Sequence, residues 1–443
     1  MGTLCLGLVL IMTAALPAIA ALLLSLAIVM MGNGLQNVLL PIRANLEAFP
    51  TPVIGLLASV YYAGFMGGCL LVPWVVRRVG HIRAFAAFCA IASATALIHA
   101  LVVDSMAWAA LRLFSGFCFA GIYVVVESWM NERADNTNRG RLLSVYRIVD
   151  LGALSVGQLL LPLADPMAFT LFSAIAILVS LGLVPICMTS ASAPGPIVTV
   201  RLRLWRLYGV SPLGVVGAFG TGLANGALWG LGMIFASRLG MELDFVAYFM
   251  ALTVVGGVIL QWPIGRLSDH IDRRTVLAFT AVVASLAGVV LAIFGAGSEL
   301  LALGVGCLYG GLSMPLYSLA ISHANDFLDE GDFVETSSGL MFCFSTGAVI
   351  GPLLAAPLID VIGPGGLFVF TATTHAVLAA FAFYRMTQRP AFPVEEQDPF
   401  RSVPIMTALI LDLDPRAPDM EDSAPEDGAG PVIDTTVIES RSG

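Results

Sequence analysis

GRLSDHIDRR, residues 265–274, places six charged or titratable side chains in ten positions. It stands between two uncharged runs, 248–264 and 275–297. A helix rises about 1.5 Å per residue, so apolar runs of this kind are long enough to cross the roughly 30 Å hydrocarbon core of a bilayer. The stretch therefore reads as a short basic turn at one membrane face.

The rest of the chain supports that reading. Of 443 residues, 58% are hydrophobic and 12% charged, with a mean hydropathy of +0.91. Soluble chains carry about a quarter charged residues, so an integral membrane protein bathed in lipid is expected. The net charge of −9 comes from an acidic, proline-containing tail after Met386, whose composition predicts disorder. The seven cysteines lie in apolar runs and offer neither metal-ligand spacing nor a disulfide framework. All 21 basic residues are arginine. Without lysine there is no Walker A loop and no Schiff-base nucleophile, and no HExxH or GxSxG motif is present. No enzyme is expected, and no cofactor, metal or nucleic acid is implied.

Charges and turn residues divide the chain into spans near 20–41, 51–76, 82–103, 106–130, 141–164 and 167–188. A polar linker at 189–212 follows, and a second set lies near 213–237, 243–265, 274–296, 299–324, 333–359 and 363–386. If the first span starts inside, the interior connections hold fourteen arginines and the exterior ones only Arg43 and Arg238. That asymmetry predicts two cytoplasmic termini and makes 265–274 an interior turn. Residues 1–19 are an apolar lead-in to a helix beginning near Pro17, unless translation starts later, at Met12 or beyond. The expected domains are 20–188 and 213–386, with the tail over 387–443.

The two sets of spans repeat one another. Residues 152–165 align with 347–360 at an offset of 195, matching Gly, Ala, Leu, Pro, Leu and Asp. At an offset of 194, Gly116, Tyr123 and Asn131 fall on Gly310, Tyr317 and Asn325. At 192, Asn33-Gly34 falls on Asn225-Gly226, and PWVVRRVGHI, 73–82, falls on 265–274. Two six-helix halves of like orientation are expected, pivoting about a midplane site.

These residues carry a family resemblance. GRLSDHIDRR resembles the signature of the 2–3 and 8–9 loops of the major facilitator superfamily. LRLFSGFCFAG (111–121) resembles its helix-4 pattern, and NRGR (138–141) the arginine–glycine pair that follows. VVRRVGHIRAF (75–85), VESWMNERADNTNRGRLLS (126–144), LQWPIGRLSDHIDRR (260–274) and PLYSLAISHAND (315–326) are similar to a bacterial branch of uncharacterised permeases of the YcaD type. The resemblance spans about residues 20 to 386. It implies an all-α membrane fold of twelve helices in two pseudo-two-fold bundles, a monomer in the bacterial inner membrane that moves a small solute. It also implies a cytoplasmic latch at the signature turn, the alternative being a basic turn that only sets topology. Gly265 would let two helices approach, and Asp269 would pair with Arg266, Arg273 or Arg274. The first half has Arg77 where the family's Asp would stand.

Ionisable residues inside spans are costly and point to function. Arg112 lies about 9 Å inside helix 4 by the helical rise, placed either for coupling or to snorkel to the interface. Glu127 can reach Arg147 or Asp150. Asp150 lies about 13 Å past Arg141 and shares a helical face with Arg147, as either a proton carrier or half of a structural pair. Candidate cavity residues are Asn33, Gln36, Asn37, Tyr62, Gln158, Asn225, Trp229 and Tyr317, the alternative being hydrogen-bonding glue between helices. Proton-coupled export of an amphipathic solute is the leading expectation. Its rivals are a facilitator or symporter for a polar nutrient such as a sugar or organic acid, and a non-transporting receptor or assembly factor.

Overall fold

Backbone N–H and C=O groups find no partner in hydrocarbon, so apolar runs that cross it must satisfy themselves as helices. The computed structural model describes residues 2–133, 139–188, 204–327, 333–397 and 400. Side chains are described from residue 19 onward, apart from 133, 139–140 and 333–334. In order, the helices are α1 (Gly2–Leu46), α2 (Thr51–Val79), α3 (His81–Leu101), α4 (Ser105–Arg133) and α5 (Arg139–Gln158), which runs on into a 3-10 turn at Leu161–Leu163. Then come α6 (Thr170–Leu181), α7 (Leu183–Cys187), α8 (Leu204–Val210), α9 (Pro212–Arg238) and α10 (Leu243–Ser268). The last are α11 (Arg273–Phe294), α12 (Glu299–Ser313), α13 (Pro315–Asn325), α14 (Phe333–Ile362) and α15 (Gly366–Gln388).

Among the described residues, 12 stretches are long and apolar enough to cross a membrane. The sixth span is α6 with α7 and the tenth is α12 with α13. Large apolar side chains such as Leu70, Leu101, Ile148, Phe279 and Ile293 are exposed, as a lipid-facing surface requires. Two departures from the sequence reading stand out. Helix α1 is continuous from Gly2 through Pro17 and does not begin near that proline. Part of the expected polar linker, 204–210, is the helix α8. Residues 189–203, 398–399 and 401–443, hence most of the tail read as disordered, lie outside the described residues.

The turns follow local chemistry. Gly80, Gly240 and Gly363 follow α2, α9 and α14 with φ of +85°, +75° and +93°, a region that suits glycine. In the repeat, Gly80 falls on Asp272, whose carboxylate accepts from Arg274 N at 3.0 Å and caps α11 instead. Ser211 accepts from Gly214 N in the same way, ahead of Pro212 at the start of α9. Pro315 has no N–H to donate, and the tenth span breaks at Met314.

The two-fold repeat is visible in the packing. In the first half α1 packs on α5, α2 on α4 and α3 on α6; in the second α9 packs on α14, α10 on α12 and α11 on α15. Glycines set the register. A Cβ on Gly64 would lie 2.0 Å from Leu113 O, and one on Gly116 2.0 Å from Tyr61 O. The counterparts are Gly256 against Cys307 O at 1.8 Å and Gly310 against Thr253 O at 2.1 Å. Likewise Gly34 meets Leu154 O and Gly157 meets Met31 O, matched by Gly226 at Ala348 O and Gly351 at Leu223 O. These contacts align α5 with α14 at an offset of 194, not 195. The sequence match of Gly152 with Gly347 is one residue out of register: a Cβ on Gly152 meets nothing within 4 Å, whereas one on Gly347 meets Phe219 O at 2.2 Å. The offset of 195 holds beyond the end of α5, where that span turns 3-10 while α14 continues.

Between the halves, α2 packs on α14 and α9, α1 on α9, and α5 with its 3-10 turn on α10. Gly55 sits against Pro352 and Ala356, and Gly230 against Ala58.

The glycine contacts yield a paired test. Gly64→Leu should drive a side chain into the α4 backbone and destabilise the protein by about 3 kcal/mol or more. Gly67→Leu should be tolerated, since a Cβ there meets nothing within 4 Å. Thermal unfolding monitored by size-exclusion chromatography in detergent distinguishes them, and equal stability of the two variants contradicts the packing described.

Candidate functional site

Between the halves lies a cavity of about 210 Å³. On the first half, Asn33, Asn37, Tyr62 and Gln158 of the sequence-derived candidates line it, together with Arg112, Arg147 and Asp150. On the second half Trp229 lines it. Helical spacing explains the grouping: Asn33 and Asn37 are one turn apart on α1, and Arg147 and Asp150 one turn apart on α5.

Polar contacts on the first half are local. The Arg112 guanidinium lies 4.1 Å from the Tyr61 ring centroid, and its Nη1 and Nη2 reach Asn37 Oδ1 at 3.5 and 3.4 Å. Asn33 Oδ1 accepts from Asn37 Nδ2 at 3.3 Å and from the Tyr61 hydroxyl at 3.4 Å. Asp150, 1% exposed, accepts from the Tyr123 hydroxyl at 2.8 Å through Oδ1, while its buried Oδ2 has no hydrogen-bond partner. Arg147 Nε is also buried without one. The pairing of Arg147 with Asp150 anticipated from their spacing is not formed; among the described residues no ion pair joins either of them, or Arg112, to another group.

Four other candidates lie away from this cavity. Gln36 is buried with both amide atoms unpartnered. Asn225 faces the interior of its own half, where Oδ1 accepts from Ser313 Oγ at 2.7 Å and that hydroxyl lies 3.2 Å from His375 Nε2. Tyr317 packs its ring 4.9 Å from Phe344, with a buried hydroxyl that has no partner. Glu127 is fully buried and accepts from the Tyr146 hydroxyl at 2.9 Å. The repeat pairs Tyr123 with Tyr317, and it is Tyr123 that reaches the cavity. Tyr61, Phe65, Met233, Met250, Met314 and Phe344 also line it and were not singled out. A period-3.6 reading could have found Tyr61, four residues before Phe65 on α2.

The signature turn sits at the opposite end of its helices from Arg238. Asp269 accepts from Phe400 N at 2.6 Å, and Arg273 Nη2 stands 3.9 Å away. Arg273 has a closer carboxylate, Asp326, at 3.3 Å. Arg274 pairs with Asp272 at 2.8 Å and donates to Arg389 O at 2.7 Å. Arg266 is exposed, 5.6 Å from the Trp262 ring. Gly265 accommodates the Phe400 ring, where close approach of a second helix was expected.

At the other end, Arg238 spans the two halves. It donates to Thr51 Oγ1 at 2.7 Å and Asn45 Oδ1 at 3.5 Å on the first half, and pairs with Asp360 of its own half at 3.3 Å. Thr51 also hydrogen-bonds Asp360 directly. Arg43, the other arginine expected on that face, stays within the first half, bonded to Pro166 O at 3.0 Å and Glu47 at 2.7 Å. The only sequence signal for this bridge was the scarcity of arginines on that face.

A family model described as Major Facilitator Superfamily matches residues 22–330 and 214–415. An uncharacterised MFS-type transporter, YcaD of Escherichia fergusonii, is 27% identical over 362 residues, covering 80% of this chain and 91% of its own. Among solved structures, the nucleoside transporter NupG aligns with a TM-score of 0.70 and 14% identity, over 84% of this chain and 99% of its own. A bacterial homologue of the human lysosomal transporter Spinster, in an inward-facing and occupied conformation, gives 0.70 and 13%, over 86% and 97%.

Asn33 and Asn225 should respond differently to the same change. Asn225→Leu leaves Ser313 and His375 with a buried polar group unpaired and should lower stability by about 1 to 3 kcal/mol. Asn33→Leu, at the cavity wall, should cost less. Thermal denaturation of the two purified variants decides it; a larger loss for Asn33→Leu would contradict the assignment.

Proposed function

Because the chain belongs to the Major Facilitator Superfamily, we propose that it is a proton-coupled secondary transporter working by alternating access, with its solute held in the cavity between the halves. By family and fold it is a multi-pass membrane transporter. The observation that carries the finer reading is the set Arg112, Arg147 and Asp150, facing one cavity with no ion pair among the described residues. A receptor needs no such cavity. A buried carboxylate with an unpartnered oxygen is a suitable proton carrier, because protonation removes a charge that a low-dielectric site disfavours.

The positive-inside count puts the turn 265–274 and both termini in the cytoplasm of a bacterial inner membrane. The polar bridge at Arg238 then ties the halves together on the outer side, which supports reading this state as the inward-open one. Alternation requires that bridge to break and the arginine-rich end to close. Asp269, engaged by Phe400 N here, is the group at the turn with contacts to exchange in that step.

Direction follows from the sign of the solute. Protonating Asp150 makes the cavity more positive, which weakens binding of a cation and strengthens binding of an anion. Export by exchange, the leading sequence expectation, suits a solute that competes with the proton. Two guanidiniums against one carboxylate support the other reading, co-transport of an organic acid with a proton.

In proteoliposomes with an imposed pH gradient, and a solute chosen by thermal-shift screening, Asp150→Asn should abolish uphill movement yet leave counterflow exchange intact. Exchange needs only the loaded protein to reorient, whereas net movement needs proton uptake and release. Intact uphill transport in the variant would remove Asp150 from the coupling step. For orientation, reporter tags in 189–203 and after Arg389 should both be inaccessible from outside intact cells, and labelling of either would reverse the topology.

A further inference from the structure

Charge and apolar surface are divided unevenly between the cavity walls. Arg112, Arg147 and Asp150 all come from α4 and α5, in the first half. Among the described residues the second half contributes no charged residue to the wall; its largest side chains there are Trp229, Met233, Met250, Met314 and Phe344. A solute lying across this space meets polar groups on one side and thioether and aromatic surface on the other. That is the environment of an amphiphile, since methionine adapts to apolar shapes and aromatic faces cover them.

The polar wall carries one positive charge in excess. Asp150 offsets one of the two guanidiniums. Arg112 is 6% exposed, and its neighbours are a tyrosine ring and one amide oxygen at the outer limit of hydrogen-bond distance. A guanidinium holds five N–H donors in a planar fork that matches a carboxylate or sulfonate with two parallel bonds. A buried cation without a counter-ion is unfavourable, and an anionic headgroup removes that cost.

From this asymmetry we infer that the solute is an amphipathic organic monoanion, its acid group on Arg112 and its apolar body against Trp229 and the three methionines. The inference rests on the cavity being the solute site proposed above. Neutral sugars, which present hydroxyls all round, do not match the apolar wall. Cationic amphiphiles would bring a second positive charge to Arg112.

The test uses the full chain in lipid nanodiscs and three ligands of one shape: 4-phenylbutyrate, 4-phenylbutyramide and 4-phenylbutylammonium. Binding is followed by calorimetry. The carboxylate should bind best, with the amide weaker by about tenfold or more, the worth of a charge-assisted hydrogen bond. The ammonium should not bind. Arg112→Gln should erase the preference for carboxylate over amide, and Arg112→Lys should keep part of it. Because the ligand series is measured first on the unaltered protein, an unstable variant does not spoil the test. Equal binding of acid and amide, tighter binding of the ammonium, or no binding of the acid overturns the inference. Preferential binding of the acid without its movement in proteoliposomes would instead count against transport, leaving the binding site standing.

Discussion

Helix backbones in this molecule touch, and the rest of the structure hangs on that contact. In lipid there is no hydrophobic force between helices, so association depends on close packing and on hydrogen bonds. Gly64 and Gly116 let α2 and α4 meet with carbonyl oxygens where side chains would otherwise stand, and Gly256 and Gly310 do the same for α10 and α12. The pairs Gly34–Gly157 and Gly226–Gly351 lock α1 to α5 and α9 to α14. Each half is thereby a rigid unit. The seam between the units combines the polar bridge at Arg238 with close contacts of its own, Gly55 against Pro352 and Gly230 against Ala58.

Rigid halves permit division of labour at the cavity. Repeat mates stand at equivalent positions and do different work. Asn33 bonds Asn37 and Tyr61 at the cavity wall, while Asn225 is held by Ser313 inside the second half. Tyr123 presents its hydroxyl to Asp150, while Tyr317 packs its ring at a tilt against Phe344. Chemistry has concentrated on the first half and apolar surface on the second. The break at Pro315 helps, because it brings Met314 to the wall.

How far this could be read from the residues depended on the range of the interaction. Twelve spans were legible because length and apolarity are local properties, and the two-fold repeat because glycine contacts leave matching glycines. Register was harder. An offset of 195 matched more letters, but the contacts of Gly157 and Gly351 require 194 within the helix, since α5 departs from α14 only after Gln158. Arg112, Arg147 and Asp150 were legible as expensive residues in oily surroundings. Their lack of mutual pairing was not, because spacing on a helix says which groups can meet and not which way each turns. Gln36 and Asn37 are neighbours in sequence, and only tertiary structure assigns one to the interior and the other to the cavity. Gly265 was read as a helix contact, but the residue that fills the space, Phe400, is 135 positions away in the chain.

The Arg238 bridge has a consequence of another kind. Its side chain and that of Asp360 are 30% and 43% exposed, in reach of water and dissolved ions. Exposed charges are screened over about 8 Å at physiological ionic strength and about 3 Å in molar salt. The ion pair lies within the second half and is wet, and it holds the first half through hydrogen bonds to Thr51 and Asn45, whereas the glycine contacts, Gly55 against Pro352 across the seam among them, are dry and indifferent to salt. Electrolyte bathing that face weakens the pair that orients Arg238 toward the first half, so dissolved salt acts on this end of the seam without touching the cavity.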